Sequence, residues 1–438
     1  MTDTRDLLDL LARMRVAGAA DLLAALGVSR ATLSRLVAEA GVEQVCRMGR
    51  ARATQYARTR SVEGLGHHVP LFRVSEVGAA SVAGTLNLLW AGQHWLDRPG
   101  EGGLFAGLPP ALADMAPQGY IGRAFPERFP ELGLPANVSD WSDDHRLIAL
   151  ARRGEDCAGD LVLGDESLAR FLAWRPVEVE PDAYPALAAS SATQAATTSA
   201  GGERPKFGAF TRGRHVLVKF SLGDDAPAAR RWRDLLWCEC RALEAVAAAG
   251  LSAARGTTVD VGGARFLEVE RFDRVGVRGR RAVLTLGALE DEYFGGRDSW
   301  TAAAGRLART RPFLLSADDA RKLRWLDTFG QLIGNTDRHA GNVAFLVGEG
   351  GALRLAPAYD MLPMILAPSG DTVVVREFRP APPTGSTIDV WADAAAWARR
   401  YWRALAANGL LEPSLRAFAE QALGSVERLA SQVAVPAG

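Results

Sequence analysis

At 438 residues the chain is long enough for two or three domains with full cores, and a hydrophobic content of 48% with formal charge zero is ordinary for a soluble protein. It has no run of about 18 or more apolar residues, and MTDTRDLLDL has no basic n-region or h-region; this excludes a membrane-spanning helix and a secretory signal and implies a cytoplasmic location without a membrane partner. Cys46, Cys157, Cys238 and Cys240 are too few and too scattered for a disulfide framework and read as reduced thiols.

Residues 1–60 read as a winged helix-turn-helix. Leu7, Leu8, Leu10 and Leu11 mark a first helix, DLLAALG a second, and Ser29 caps a third from Arg30 to about Ala40, with Gly27 at the turn. VEQVCRMGRARATQYART reads as two strands around a basic tip, the wing. Ten arginines against six acids make this end positive in a neutral protein, as binding to DNA requires. The third helix would enter the major groove with Arg30, Thr32 and Arg35 near base edges, while Arg47, Arg50 and Arg52 meet phosphates. A small protein-interaction domain built on the same turn is the alternative.

Residues 61–186 carry no catalytic motif, and the Pro- and Gly-rich centre GGLFAGLPPALADMAPQGYIGRAFPERFPELGLP argues for an irregular, loop-built subdomain rather than a clean sheet. His67, His68, His94 and His145 lack metal-ligand spacing. The small, polar stretch 186–205 runs into Gly201 and Gly202, followed by two strand-like segments, KFGAF and HVLVKF, with a lysine in each. The chain has only three lysines against 48 arginines, so Lys206 and Lys219 mark positions where a compact ammonium is wanted rather than a planar fork. A glycine-bearing loop next to such a hairpin is how a phosphate-covering loop is built. A helix from Ala228 to about Ala249 puts Trp232, Leu235, Leu236, Leu243 and Val246 on one face and Glu239 near its middle, where it is expected to pair with Lys219. RFLEVERFDR reads as a strand, and the acidic EDEYFGG with RDSW as the border of an acceptor groove.

A helix from Ala320 to Ile333 delivers LIGNTDRHAGNVAFLVGEGGALRLAPAYDML. Asp337 and Asn342 have the spacing of the protein-kinase catalytic loop, where the Asp orients the accepting hydroxyl and the Asn holds magnesium. Two apolar runs, Val343–Val347 and Ala352–Leu355, flank GEGG and predict a hairpin that returns Asp360 to Asn342 as a second oxygen ligand. The last 50 or so residues, with Trp391, Trp397 and Trp402, read as packed helices whose tryptophans are core.

GNTDRHAGN followed by PAYDML resembles the HipA-like serine/threonine kinases, the toxins of bacterial toxin-antitoxin modules. DDHRLIALARRGEDCAGDLVLG is similar to the end of that family's amino-terminal lobe, and LPPALADMAPQGYIGR to the preceding segment of YjjJ-type members, which also begin with a helix-turn-helix. The resemblance implies an autophosphorylated serine at Ser199, a hinge at which Glu270 and Phe272 meet adenine, and a support role for His339. The expected fold is α+β: a winged helix-turn-helix (1–60), a HipA amino-terminal subdomain (61–186), a kinase small lobe with the phosphate loop (187–273) and a helical carboxy-terminal lobe with the catalytic loop (274–438). The expected activity is transfer of the ATP γ-phosphate, with Mg2+, to a protein Ser or Thr, a translation factor being one candidate class. Promoter DNA would be a partner, bound by a homodimer. A transcription regulator with a ligand-sensing kinase fold and a small-molecule phosphotransferase are the other readings.

Overall fold

The computed structural model describes residues 2–195, 205–221, 225–296, 298–310 and 315–434; Ser199, Gly201 and Gly202 lie outside the described residues, as does the side chain of Arg52. The chain divides into two compact units, residues 1–118 with 125–175 and residues 119–124 with 176–438.

The first unit opens with α1 (Thr4–Met14), β1 (Val16–Gly18), α2 (Ala19–Leu26), α3 (Arg30–Ala40), β2 (Val45–Met48) and β3 (Gln55–Arg58), the strands pairing in the order β1-β3-β2. Helical spacing gathers Leu7, Leu10, Leu11, Leu22, Leu33 and Leu36 into one small core. Ser29 caps α3 by accepting the Thr32 N–H at 3.2 Å, and Gly27, at φ 64°, ends α2 in the left-handed conformation that a glycine tolerates.

The stretch expected to be loop-built contains a sheet. Strands β4 (His68–Val74), β5 (Ala80–Leu88), β6 (His94–Arg98), β7 (Glu101–Phe105) and β8 (Leu161–Leu163) form a five-stranded antiparallel sheet in the order β7-β6-β5-β4-β8. In β4, Val69 and Leu71 pack into one core and Phe72 and Val74 into another, while His68 and Arg73 face solvent; a bulge between Leu71 and Phe72 breaks the simple period-two signal. The Pro- and Gly-rich segment falls largely after this sheet and forms α4 (Pro110–Met115) and α5 (Gly119–Arg128). Pro110 sits in the first turn of α4, where its missing N–H costs no hydrogen bond, so proline density here starts a helix instead of preventing order. Leu112 and Met115 of α4 and Leu147 and Leu150 of α6 (Asp143–Arg153) cover the sheet, and α7 (Asp165–Ala173) follows β8.

The second unit begins its sheet after α8 (Tyr184–Ala195). Strands β9 (Lys206–Thr211), β10 (Arg214–Phe220), β11 (Gly256–Val261) and β12 (Ala264–Glu270) are antiparallel in the order β11-β12-β10-β9, and α9 (Pro227–Ala248) joins β10 to β11. Alternation along the strands decides which residue meets which helix: Val216, Val218, Phe220 and Phe266 pack with Tyr184 and Ala188 of α8, while Leu267 and Val269 pack with Leu236 and Cys240 of α9. Lys219 therefore lies on the α9 side.

The remainder comprises β13 (Arg274–Val275), β14 (Gly279–Arg280), β15 (Val283–Thr285), α10 (Leu286–Tyr293), α11 (Trp300–Leu307), α12 (Ala317–Leu332), β16 (Ala344–Val347), β17 (Leu353–Leu355), α13 (Ile388–Ala406) and α14 (Pro413–Ala434). The predicted hairpin is β16 and β17, with Gly350 and Gly351 at φ 66° and 80° in its turn; β15 adds a third strand. One core unites Leu323, Leu326 and Phe329 of α12, Trp391 and Trp402 of α13, and Leu235 and Leu243 of α9. The Trp402 indole also donates to Leu332 O at 2.9 Å, which pins the end of α12 ahead of the loop that carries Asp337. Among the described residues no helix is long and apolar enough to cross a membrane.

Candidate active site

The loop after α12 starts with Gly334 at φ 71°, where an added Cβ would lie 2.7 Å from Ile365 Cγ2. Glycine permits both the left-handed turn and the close pass of Ile365, whose N–H donates to Gly334 O at 2.9 Å. Fully buried Asn335 then accepts the Asp337 N–H on Oδ1 at 3.0 Å, and Asn342 Nδ2 donates to Asp337 O at 2.8 Å. The Asp337 backbone is held from both sides, yet its side chain is 52% exposed. His339 accepts the Gly341 N–H on Nδ1 at 3.0 Å, which assigns the ring proton to Nε2, 3.9 Å from the Asp337 carboxylate. Trp300 Nε1 donates to His339 O at 3.1 Å and the Tyr359 hydroxyl to Gly341 O at 2.7 Å.

Arg338 fixes the loop to the helices behind it. Its Nε donates to Asp327 Oδ1 at 3.0 Å, while the other Asp327 oxygen accepts the Thr301 N–H at 3.1 Å and the Thr301 hydroxyl at 2.7 Å. A second arm of the guanidinium reaches Asn335 O. Asp327 is 2% exposed, so three donors compensate a carboxylate withdrawn from water.

The hairpin returns the chain to Asp360, which sits at φ 51°, a left-handed conformation that is costly for a residue with a Cβ. Its carboxylate hydrogen-bonds the Lys219 ammonium, which also lies 2.5 Å from Glu239 Oε1. Lys206 is directly opposite Lys219 in the β9–β10 register, so both project from one face of the sheet. Burial opposes ionisation of Asp360, but the Lys219 and Lys206 charges and the Lys219 hydrogen bond outweigh it and bring the carboxyl down to about 2. Burial likewise opposes the Lys219 ammonium, and the Asp360 and Glu239 charges hold it above the usual lysine range. Burial pushes the Glu239 carboxyl up against the pull of Lys219.

These groups suit a magnesium nucleotide. Asn342 spends its amide nitrogen on Asp337 O, leaving its oxygen to coordinate, and Asp360 stays ionised; two hard oxygens plus substrate phosphates are a magnesium donor set. At the expected hinge, Phe272 packs on Tyr359 with ring centroids 5.7 Å apart. Glu270 pairs with Arg214 at 3.3 Å, and its N–H is already given to Arg255 O at 2.9 Å, so that donor is not free for adenine.

The residues expected on DNA lie in the first unit. Arg30, Arg35, Arg47 and Arg50 are exposed; Arg35 Nη1 pairs with Glu39 at 2.6 Å, and the Thr32 hydroxyl is 3.0 Å from Ser29 Oγ. Sequence reasoning missed Asn335, Asp327, Thr301, Arg338, Trp300 and Tyr359. Asn335 was legible in part, because Gly-Asn-Thr-Asp is turn chemistry.

The model of the HipA-like C-terminal domain matches residues 198–432. The chain belongs to the HipA-like toxin family. The YjjJ-like toxin middle domain matches residues 65–172 of this HipA-like chain. Toxin YjjJ of Escherichia coli (strain K12) is 31% identical over 435 residues, which is 95% of this chain and 96% of that protein. Among solved structures, HipA from the Shewanella oneidensis MR-1 complex of HipA, HipB and operator DNA superposes with a TM-score of 0.55 at 16% identity, over 83% of this chain and 99% of that one. The mixed α and β architecture is thus HipA-like in fold.

Proposed function

We propose that this chain is an ATP- and magnesium-dependent protein kinase that transfers the γ-phosphoryl group to a Ser or Thr hydroxyl. The observation that carries the reading is the convergence of Lys219, Glu239 and Asp360, far apart in sequence, with Lys206 on the same sheet face. In this reading Lys219 and Lys206 hold phosphates, Glu239 orients Lys219, and Asn342 and Asp360 hold magnesium. Asp337, fixed by its backbone with its carboxylate accessible, orients the acceptor hydroxyl and takes its proton, and His339 keeps the loop in shape. Bound ATP with magnesium supplies the phosphoryl group and neutralises charge developing on it. Glu270 and Phe272 border the adenine, and Ser199, Gly201 and Gly202 belong to the loop over the phosphates, with Ser199 as the self-phosphorylated residue.

Residues 1–60 are read as a winged helix-turn-helix that binds promoter DNA as a dimer, with 61–186, 187–273 and 274–438 as the amino-terminal subdomain, small lobe and helical lobe of a cytoplasmic toxin. The exposed arginines of α3 and the β2–β3 tip support this, and the Shewanella relative was solved with its operator. The test is incubation with labelled ATP and magnesium, alone and with cell lysate. Labelled protein bands, including the chain itself phosphorylated at Ser199, support the kinase; labelled metabolites indicate a small-molecule phosphotransferase, and no turnover a ligand-sensing regulator.

A further inference from the structure

Residues 374–380 have a strand's alternation without a strand partner. Val374, Arg376, Phe378 and Pro380 are half-buried, whereas Val375, Glu377 and Arg379 face solvent, Val375 at 92% exposure. The inward side is anchored: Arg376 Nη1 donates to Ile365 O at 2.8 Å and Ala367 O at 2.6 Å, and the Phe378 ring lies 5.6 Å from Trp402 and 6.2 Å from Phe418. Among the described residues, no backbone hydrogen bond joins residues 373–380 to another segment. Val373, Val374 and Val375 are β-branched and suit an extended backbone, and an extended backbone with unspent donors and acceptors is a template for an added strand.

This edge adjoins the proposed chemistry. Arg376 holds Ile365 O, the Ile365 N–H holds Gly334 O at 2.9 Å, and the next residue, Asn335, holds the Asp337 N–H at 3.0 Å. We propose that residues 373–379 are the acceptor-docking edge: the protein substrate presents its Ser or Thr within an extended segment that pairs with this edge, backbone to backbone. The inference rests on the kinase reading and adds to it the conformation of the substrate and the place it docks. Main-chain pairing accepts many sequences, and selectivity falls to the outward side chains. Glu377 and Arg379 pair with each other at 2.7 Å while 70% and 80% exposed, so the pair opens at small cost to meet a charge of either sign on the substrate. Pro380, Pro382 and Pro383 have no N–H and end the edge.

The test uses the full chain with ATP, magnesium and a randomised library of short peptides with a fixed central serine. The best acceptor is remade with a single N-methyl group at each backbone position in turn. Strand pairing raises KM about fivefold or more at every second position and leaves the others unchanged, because alternate N–H groups face the partner strand. Val374→Pro and Val375→Pro remove donors from neighbouring positions whose N–H groups point to opposite sides of an extended segment, so one of the two raises the peptide KM by a similar factor; ATP affinity reports that the nucleotide site is intact in each. A uniform or absent N-methyl effect overturns the docking mode, and alternation with both proline variants unaffected overturns its place. Transfer to lysate proteins or to the chain itself, but to no peptide, also overturns it. If no acceptor of any kind is labelled, the kinase reading itself fails. Loss of a dimer in Val375→Pro with unchanged peptide KM would show the edge to be filled by a second copy instead.

Discussion

Glu239, in the middle of α9, places a carboxylate oxygen 2.5 Å from the Lys219 ammonium, and neither side chain is more than 5% exposed. A buried pair of this kind is sensitive to the loss of one partner, because the survivor keeps its desolvation penalty. Lys219→Met, similar in length and apolar, is expected to destabilise the second unit by about 3–5 kcal/mol. Adding Glu239→Gln should recover part of that loss. Chemical denaturation of the two variants checks this, and a double variant no more stable than Lys219→Met alone would deny the coupling.

Asp337 and Asp360 should separate in kinetics. Asp337→Asn keeps the backbone contacts to Asn335 and Asn342 and removes only the proton acceptor, so ATP binding is retained while turnover falls by about 10²-fold or more. Asp360→Ala removes an oxygen donor and a partner of Lys219, and should weaken magnesium-dependent ATP binding instead. Titration of ATP with and without magnesium, beside initial rates, tells them apart; identical behaviour refutes the assignment of roles.

Asp327 never reaches the substrate in this reading, yet it holds Arg338 at 3.0 Å and Thr301 at 2.7 Å. Asp327→Asn keeps the shape and removes the charge facing the guanidinium, so the loop loosens. We expect turnover to fall with ATP affinity unchanged. In a cycle with Arg338→Gln the two losses in turnover should be strongly non-additive, since both remove one contact. Additive losses would make Asp327 a support of α12 alone.

Tyr184 anchors α8 through its hydroxyl, 2.9 Å from Glu268 Oε1, and burial with that hydrogen bond pushes the phenol up to about 12. A folded-state pKa raised above the unfolded value near 10 contributes stability that is complete below about pH 10 and is lost as pH rises towards 12. Difference titration of tyrosinate absorbance, wild type against Tyr184→Phe, should show one late-titrating group missing in the variant. The stability advantage of wild type should shrink over the same interval.

On DNA, Arg35 must first leave Glu39, which costs little because the pair is exposed. Arg35→Ala should weaken binding by about 1–3 kcal/mol and relax sequence preference, whereas Arg50→Ala should weaken all sequences alike and flatten the salt dependence by about one unit of slope. Anisotropy titrations at two salt concentrations on DNA upstream of its own locus decide it. Salt-independent or absent binding would make residues 1–60 a protein-interaction domain.

Much of the loop from Gly334 to Asn342 was legible because its signals are local. The five-residue step from Asp337 to Asn342, the glycine turn of the β16–β17 hairpin and the cap at Ser29 each rest on backbone chemistry within a few residues. Strand β4 was not legible in the same way, because its bulge between Leu71 and Phe72 and the cover on both its faces leave no simple alternation to read. The sequence by itself determined which residues could take part: a lysine-poor chain with a lysine in each of two adjacent strands, a helix glutamate and a loop aspartate. Only the tertiary structure decided that Asp327 and Thr301 brace Arg338, that Lys219 meets Asp360, and that residues 374–380 alternate in exposure with no backbone hydrogen bond to another segment among the described residues. The first two sets of contacts join separate elements of the chain, and they depend on which faces of α12, α13 and the sheet the buried tryptophans and leucines bring together. No periodicity within one segment encodes that choice.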